Sequence, residues 1–247
     1  MPNLAEKVQA RIESLYDTKL IKGVGGSITN KTKHVEDFIG KDKKTRYIVH
    51  KNKESGFICC KVLENNLKNL IYISPKVIRN LNKNDPFKSL SEKNIIDFLI
   101  LIEEIDHWEY LNTKFELKKI PSKFELELQA AVTKYWIAAG SILNYKSKVA
   151  TRFMSDYKDK LNKDNLNFLM INVFPQNNSK LDKNTNISDI IEKEKYLVAN
   201  LLARDYCGYL TGKGVDTILF SLRKFYRMDG KEKVDYVMKD FKKNPTL

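Results

Sequence analysis

The stretch Ile95-Ile-Asp-Phe-Leu-Ile-Leu-Ile-Glu-Glu-Ile-Asp-His-Trp108 decides how the rest of the chain is read. At 3.6 residues per turn its apolar side chains point in nearly every direction, and a helix that is apolar all round is normally buried. The same stretch carries Glu103 and His107, four residues apart on the face of Ile96 and Ile100, with Glu104 three residues before His107. Burying an unpaired charge costs several kcal/mol or more, so a helix of this composition requires polar partners from its neighbours.

Two further stretches repeat the conflict. Lys123-Phe-Glu-Leu-Glu-Leu-Gln-Ala-Ala-Val132 sets Glu125, Glu127 and Gln129 ahead of a nearly uncharged run to Leu143, and Arg204 and Asp205 interrupt the apolar run from Tyr196 to Cys207. Two explanations fit. In one, Arg204 pairs with Glu103 or Glu127 and His107 hydrogen-bonds within a buried ion-pair network. In the other, Glu103, His107 and Glu127 form a site between helices, as metal ligands or as acid and base, and Arg204 orients a carboxylate or phosphate.

The Glu104-x-x-His107 spacing resembles half of the ferritin-like di-iron pattern, which uses two such pairs and a further Glu from each of two other helices. His34 and His50 do not follow a Glu at that spacing, so the resemblance stops at one motif and leaves a mononuclear or mixed site with Glu127. Gly23-Val-Gly-Gly-Ser-Ile-Thr-Asn-Lys-Thr32 departs from a phosphate loop, because Asn30 stands where the second glycine is needed and no strand precedes it; a turn is expected instead. There is no Gly-x-Ser-x-Gly elbow and no Cys-x-x-Cys pair. The three cysteines do not build a disulfide framework, and reduced thiols point to a cytoplasmic location. Cys59 and Cys60 should face opposite sides of a strand, and Cys207 should be a core thiol.

Outward from the central stretch, helical spacing of Leu4, Val8, Ile12 and Leu15 predicts a helix over 3–17. Strands are expected at Arg46–His50, Gly56–Leu63 and Leu70–Ser74, with a turn at Asn52–Gly56. Helices are expected over 91–115, starting at Ser89 or Ser91, and over 122–143, 147–161, 188–210, 215–228 and 231–242. The apolar island Phe168–Phe174 fits a strand or a short helix equally. The resulting fold is α+β and mainly helical: an N-terminal helix and a small antiparallel β meander in 1–85, then a five- to six-helix bundle in 86–247. The two parts meet near Asn84-Asp-Pro86 and are able to pack as one domain.

The 247 residues are ample for a core, and 42% hydrophobic with 30% charged residues excludes wholesale disorder. The longest apolar run, Phe98–Ile102, is far too short to span a membrane. Lys and Arg number 44 against 31 Asp and Glu, a formal charge of +13, which favours an acidic partner, nucleic acid or protein. Only seven of the 44 are arginine, whereas dedicated base and phosphate readers lean on the guanidinium fork. Region 19–53 holds ten basic residues against three acidic ones. Lys31, Lys33, Lys41, Lys43, Lys44 and Arg46 there, with Arg223, Lys224 and Arg227 near the end of a helix, are the candidate anion-binding residues. The charge puts first a non-enzymatic cytoplasmic binding or accessory protein with an acidic partner. The alternative is an enzyme using Glu103, His107, Glu127 and Arg204, with or without a metal. A homo-oligomer closed by an apolar helix face is a third reading. No motif names a cofactor.

Overall fold

In the computed structural model, which describes residues 2–20, 23–40, 55–63, 66–142, 162–174 and 187–243, the chain enters through α1 (Pro2–Tyr16). Leu4, Val8, Ile12 and Leu15 are buried along one stripe, as their spacing predicts. The glycines that follow close a 3-10 turn at Val24–Ser27, and the Val24 amide donates to Gln9 Oε1 at 2.8 Å. That bond ties the turn to α1 ahead of β1 (Ile28–Thr29), which α2 (Thr32–Ile39) follows.

β2 (Gly56–Leu63) and β3 (Asn66–Ile73) pair antiparallel, with Phe57 opposite Tyr72 and Cys59 opposite Leu70. β1 lies on the other edge of β3 and runs parallel to it, Ile28 opposite Ile71, so the order is β1-β3-β2. The expected meander is corrected accordingly. Its second and third strands form the hairpin, but the remaining edge holds a two-residue parallel strand from much earlier in the chain. Two residues are too few to show an alternating pattern. The expected strand 46–50 lies outside the described residues. Along the hairpin, Ile58, Cys60, Ile71 and Ile73 enter the main core, while Phe57, Cys59 and Tyr72 join Val35 of α2 in a second, smaller one. Cys59 and Cys60 therefore do face opposite ways, and all three cysteines are free and buried.

α3 (Pro75–Lys83) begins with Pro75 in its first turn and Ser74 Oγ accepting from the Val77 amide at 3.4 Å. α4 (Ile95–Glu116) starts later than Ser89 or Ser91. The buried Asn94 side chain accepts from the Ser91 amide (2.9 Å) and donates to the carbonyls of Ser89 (2.8 Å) and Asn84 (3.1 Å), which holds 84–94 in a turn. α5 (Lys123–Ile142) follows, and α6 (Lys163–Val173) resolves the apolar island as a helix, with Asn162 Oδ1 accepting from the Asn165 amide at 2.9 Å. The chain continues through α7 (Ile187–Thr211), α8 (Val215–Arg227) and α9 (Gly230–Lys243).

The described residues thus hold nine α-helices, more than expected, because α2, α3 and α6 were not placed from the sequence; the expected helix 147–161 lies outside them. α4 touches α1, α3, α5, α6 and both hairpin strands, and the main core takes in residues from Leu4 to Val237. Among the described residues, no helix is long and apolar enough to cross a membrane.

Asn94→Ala removes three hydrogen bonds from a buried site and strands their backbone partners. A loss of about 2–3 kcal/mol is expected, read as a lower urea midpoint at unchanged slope.

Candidate functional site

Helical spacing on α4 and α5 builds the site. Glu103 and His107 lie one above the other on α4, and Glu127 faces them from α5. One ligand atom from each of Glu103, His107 and Glu127 falls in a group spanning no more than 4.8 Å. His107 Nε2 is 3.5 Å from Glu127 Oε1, and both side chains are buried. Glu103 is the solvent-facing member, and Lys134 Nζ donates to its Oε2 at 2.7 Å. Glu104, buried beside them, leaves Oε2 with no hydrogen-bond partner.

The electrostatics follow from this crowding. Burial pushes the Glu104 carboxyl up to about 8; the charges of Glu103 and Glu127 add to the rise, and His107 and Lys134 oppose it. Burial alone would lower the His107 imidazole, but Glu127, Glu104 and Glu103 outweigh it and raise the group to about 9. Burial likewise lifts Asp106 to about 6, against a Thr133 hydrogen bond and the charges of His107 and Lys233.

A second polar system fills the same core. Lys233 of α9, fully buried, donates to Gln129 Oε1 (2.7 Å) and to the Tyr110 hydroxyl (2.9 Å). Tyr110 donates in turn to Glu125 Oε1 at 2.6 Å. Lys114 lies 3.4 Å from the same oxygen and donates to the carbonyls of Arg227 (3.2 Å) and Met228 (2.8 Å), where it caps the end of α8. Gln129 Nε2 donates to Thr133 Oγ1 (3.2 Å), and Thr133 donates to Asp106 Oδ1 (2.7 Å). Glu109 takes the Thr18 hydroxyl at 2.6 Å. Burial holds the Lys233 amine well below the usual lysine range.

Of the catalytic candidates, the structure brings Glu103, His107 and Glu127 together and leaves Arg204 out. The Arg204 guanidinium donates to its neighbour Asp205 at 3.2 Å, and Lys134 pairs with Glu103, one of the two partners expected for Arg204. The anion-binding candidates divide between elements. Lys31 and Lys33 are exposed at the start of α2, which packs on β1 and β3. Arg223, Lys224 and Arg227 lie on α8, which packs on α1 and α7. Lys224 Nζ sits 5.0 Å from the Tyr236 ring centre, and Arg227 donates to the Arg223 carbonyl at 3.1 Å. Lys41, Lys43, Lys44 and Arg46 lie outside the described residues. An apolar cavity of about 80 Å³, lined by Cys60, Val62, Leu111 and Phe115 among others, contains none of the Glu103–His107–Glu127 group.

Sequence reasoning passed over Lys114, Lys134 and Lys233. Lys134 was legible in principle, being the lone charge within Ala130–Leu143. No protein-family model matches the chain, and no curated protein or solved structure matches it either.

Glu104, Asp106 and His107 all have folded-state affinities for the proton raised above those of the unfolded chain. The stability each contributes is complete below its unfolded value, and is lost as pH rises through about 6 for Asp106, about 8 for Glu104 and about 9 for His107. With a chelator present, the melting temperature should fall as pH is raised from about 5 to about 9. Glu104→Gln should remove the part of that fall lying between about 4.5 and 8. An unchanged slope in the variant contradicts the shift.

Proposed function

We propose that the chain is a metal-dependent enzyme whose centre lies between α4 and α5, with Glu103, His107 and Glu127 as ligands. One observation carries this reading: three ligand atoms converge on a common space, and a third carboxyl, that of Glu104, is buried within their electrostatic reach with an oxygen that makes no hydrogen bond. One imidazole nitrogen with carboxylate oxygens suits Mn²⁺, Fe²⁺ or Zn²⁺. Neighbouring ligands of such an ion stand about 3–4 Å apart, so a group spanning up to 4.8 Å contracts by roughly 1–2 Å at its widest. Glu103, half exposed and carrying Lys134, is the arm that moves. Without the ion, Lys134 and the protonated His107 supply the positive charge, and His107 gives up its proton to take the ion. A divalent ion there would supply a Lewis acid to a bound anion or water. The protein's own groups position it: Glu127 turns the imidazole, and Glu104 holds a carboxyl at its side.

Calorimetric titration with Mn²⁺ and Zn²⁺, and elemental analysis of the gently purified protein, test this. One ion per chain is expected, with binding lost in His107→Ala and Glu127→Gln while the helical circular dichroism is kept. Lys134→Met, which removes the competing cation, should tighten binding about tenfold. No binding by the wild type, or binding untouched by all three substitutions, overturns the assignment.

The charge of +13 favours a second reading, a binding or accessory protein that engages an acidic partner through its basic surface. Lys31, Lys33 and Lys224 are exposed and support it. Affinity for duplex DNA or for an acidic protein should then fall at least about tenfold between about 50 and 200 mM salt. Binding that ignores salt, or no binding, ends this reading.

A further inference from the structure

We infer that the α4–α5 centre takes a substrate carrying a phosphate-type dianion, held on its solvent side by Lys123 and Lys195; this rests on the metal-centre reading above. Lys123 opens α5 and lies four residues before Glu127, so the two share a face, and the ammonium lies within electrostatic reach of that carboxylate. Its Nζ stands 5.4 Å from the ring centre of Tyr196 on α7, and Lys195, the residue before that tyrosine, is exposed. α5 and α7 pack along one another, which fixes the two lysines on facing helices. Both the Glu127 carboxylate and the Lys195 ammonium act on Lys123, the first favouring its charge and the second opposing it, on top of the larger cost of burial. Lys134 borders the other side of the group, on Glu103.

Several features narrow the ligand. The bordering cations are ammoniums, and the one guanidinium expected at the site, Arg204, is turned to Asp205. An ammonium is a point-charge partner for a phosphoryl oxygen and lacks the planar fork that matches a carboxylate with two parallel bonds. Two ammoniums that repel each other across a helix interface are both relieved by a dianion. A monoanionic carboxylate relieves only one. A phosphoryl group has three oxygens to divide between the metal and the two lysines.

The test uses the full chain loaded with Mn²⁺, titrated with inorganic phosphate and separately with acetate, in the wild type and in the double variant Lys123→Ala/Lys195→Ala. Phosphate should bind the loaded wild type and bind the double variant about tenfold more weakly, while Mn²⁺ affinity does not fall; acetate at the same concentration should not displace phosphate. If Mn²⁺ binds but phosphate binds both proteins equally, or acetate competes equally well, the lysine rim is wrong and the metal centre stands. If Mn²⁺ does not bind the wild type, the metal centre fails and the substrate assignment fails with it.

Discussion

Everything in this fold answers to one constraint: α4 is buried over most of its surface, with the Ile96–Ile100–Glu103 edge and its last turn reaching solvent, yet it carries Glu104, Asp106, His107, Glu109 and Lys114 inside the core. Three neighbouring parts of the chain supply partners for these groups. The segment after α1 provides Thr18 for Glu109, and α5 provides Thr133 for Asp106 and Glu127 for His107. The end of α8 offers two carbonyls to Lys114. The apolar surface of α4 explains why it is surrounded, and its polar groups explain by which residues.

The polar interior divides into two systems that differ in how fully they are satisfied. Around Lys233, Tyr110, Glu125 and Lys114, donors and acceptors alternate and the chain of bonds ends on backbone carbonyls. Such a network fixes the packing of helices and has little capacity left for a ligand. Around His107 the balance is different. Glu103, Glu104 and Glu127 crowd one imidazole and one lysine, and an oxygen of Glu104 has no partner. Excess acceptor capacity in a buried place is what a cation fills. Asp106 Oδ2 and Glu109 Oε2 elsewhere on α4 also lack a hydrogen-bond partner, so it is the convergence of Glu103, His107 and Glu127 that separates the candidate centre from its scaffold.

The legible parts of the fold and site were those set by short-range periodicity. The burial of α4 follows from its apolar residues alone, and the Glu103–His107 pairing follows from a four-residue spacing. Glu127 was found because it opens an otherwise apolar helix. Contacts fixed by tertiary placement left weaker traces. Arg204 was assigned to the wrong partner because an adjacent aspartate, Asp205, satisfies it locally. Lys233 sits between Glu232 and Val234 in a strongly polar helix and reads as a surface residue, although it is fully buried. β1 is too short to show alternation, and α2 and α3, of eight and nine residues, give barely two turns of pattern.

The position of Lys233 also bears on how the chain reaches its native state. The central pair α4–α5 is made early in synthesis, but the amine that meets Gln129 and Tyr110 belongs to α9, more than a hundred residues after α5 begins. Until that helix emerges, Gln129 Oε1 and the acceptor side of the Tyr110 hydroxyl lack the ammonium they meet in the folded chain. Completion of this network is thereby deferred to the last helix, and a ribosome-bound chain stopped before residue 233 lacks the group that closes it.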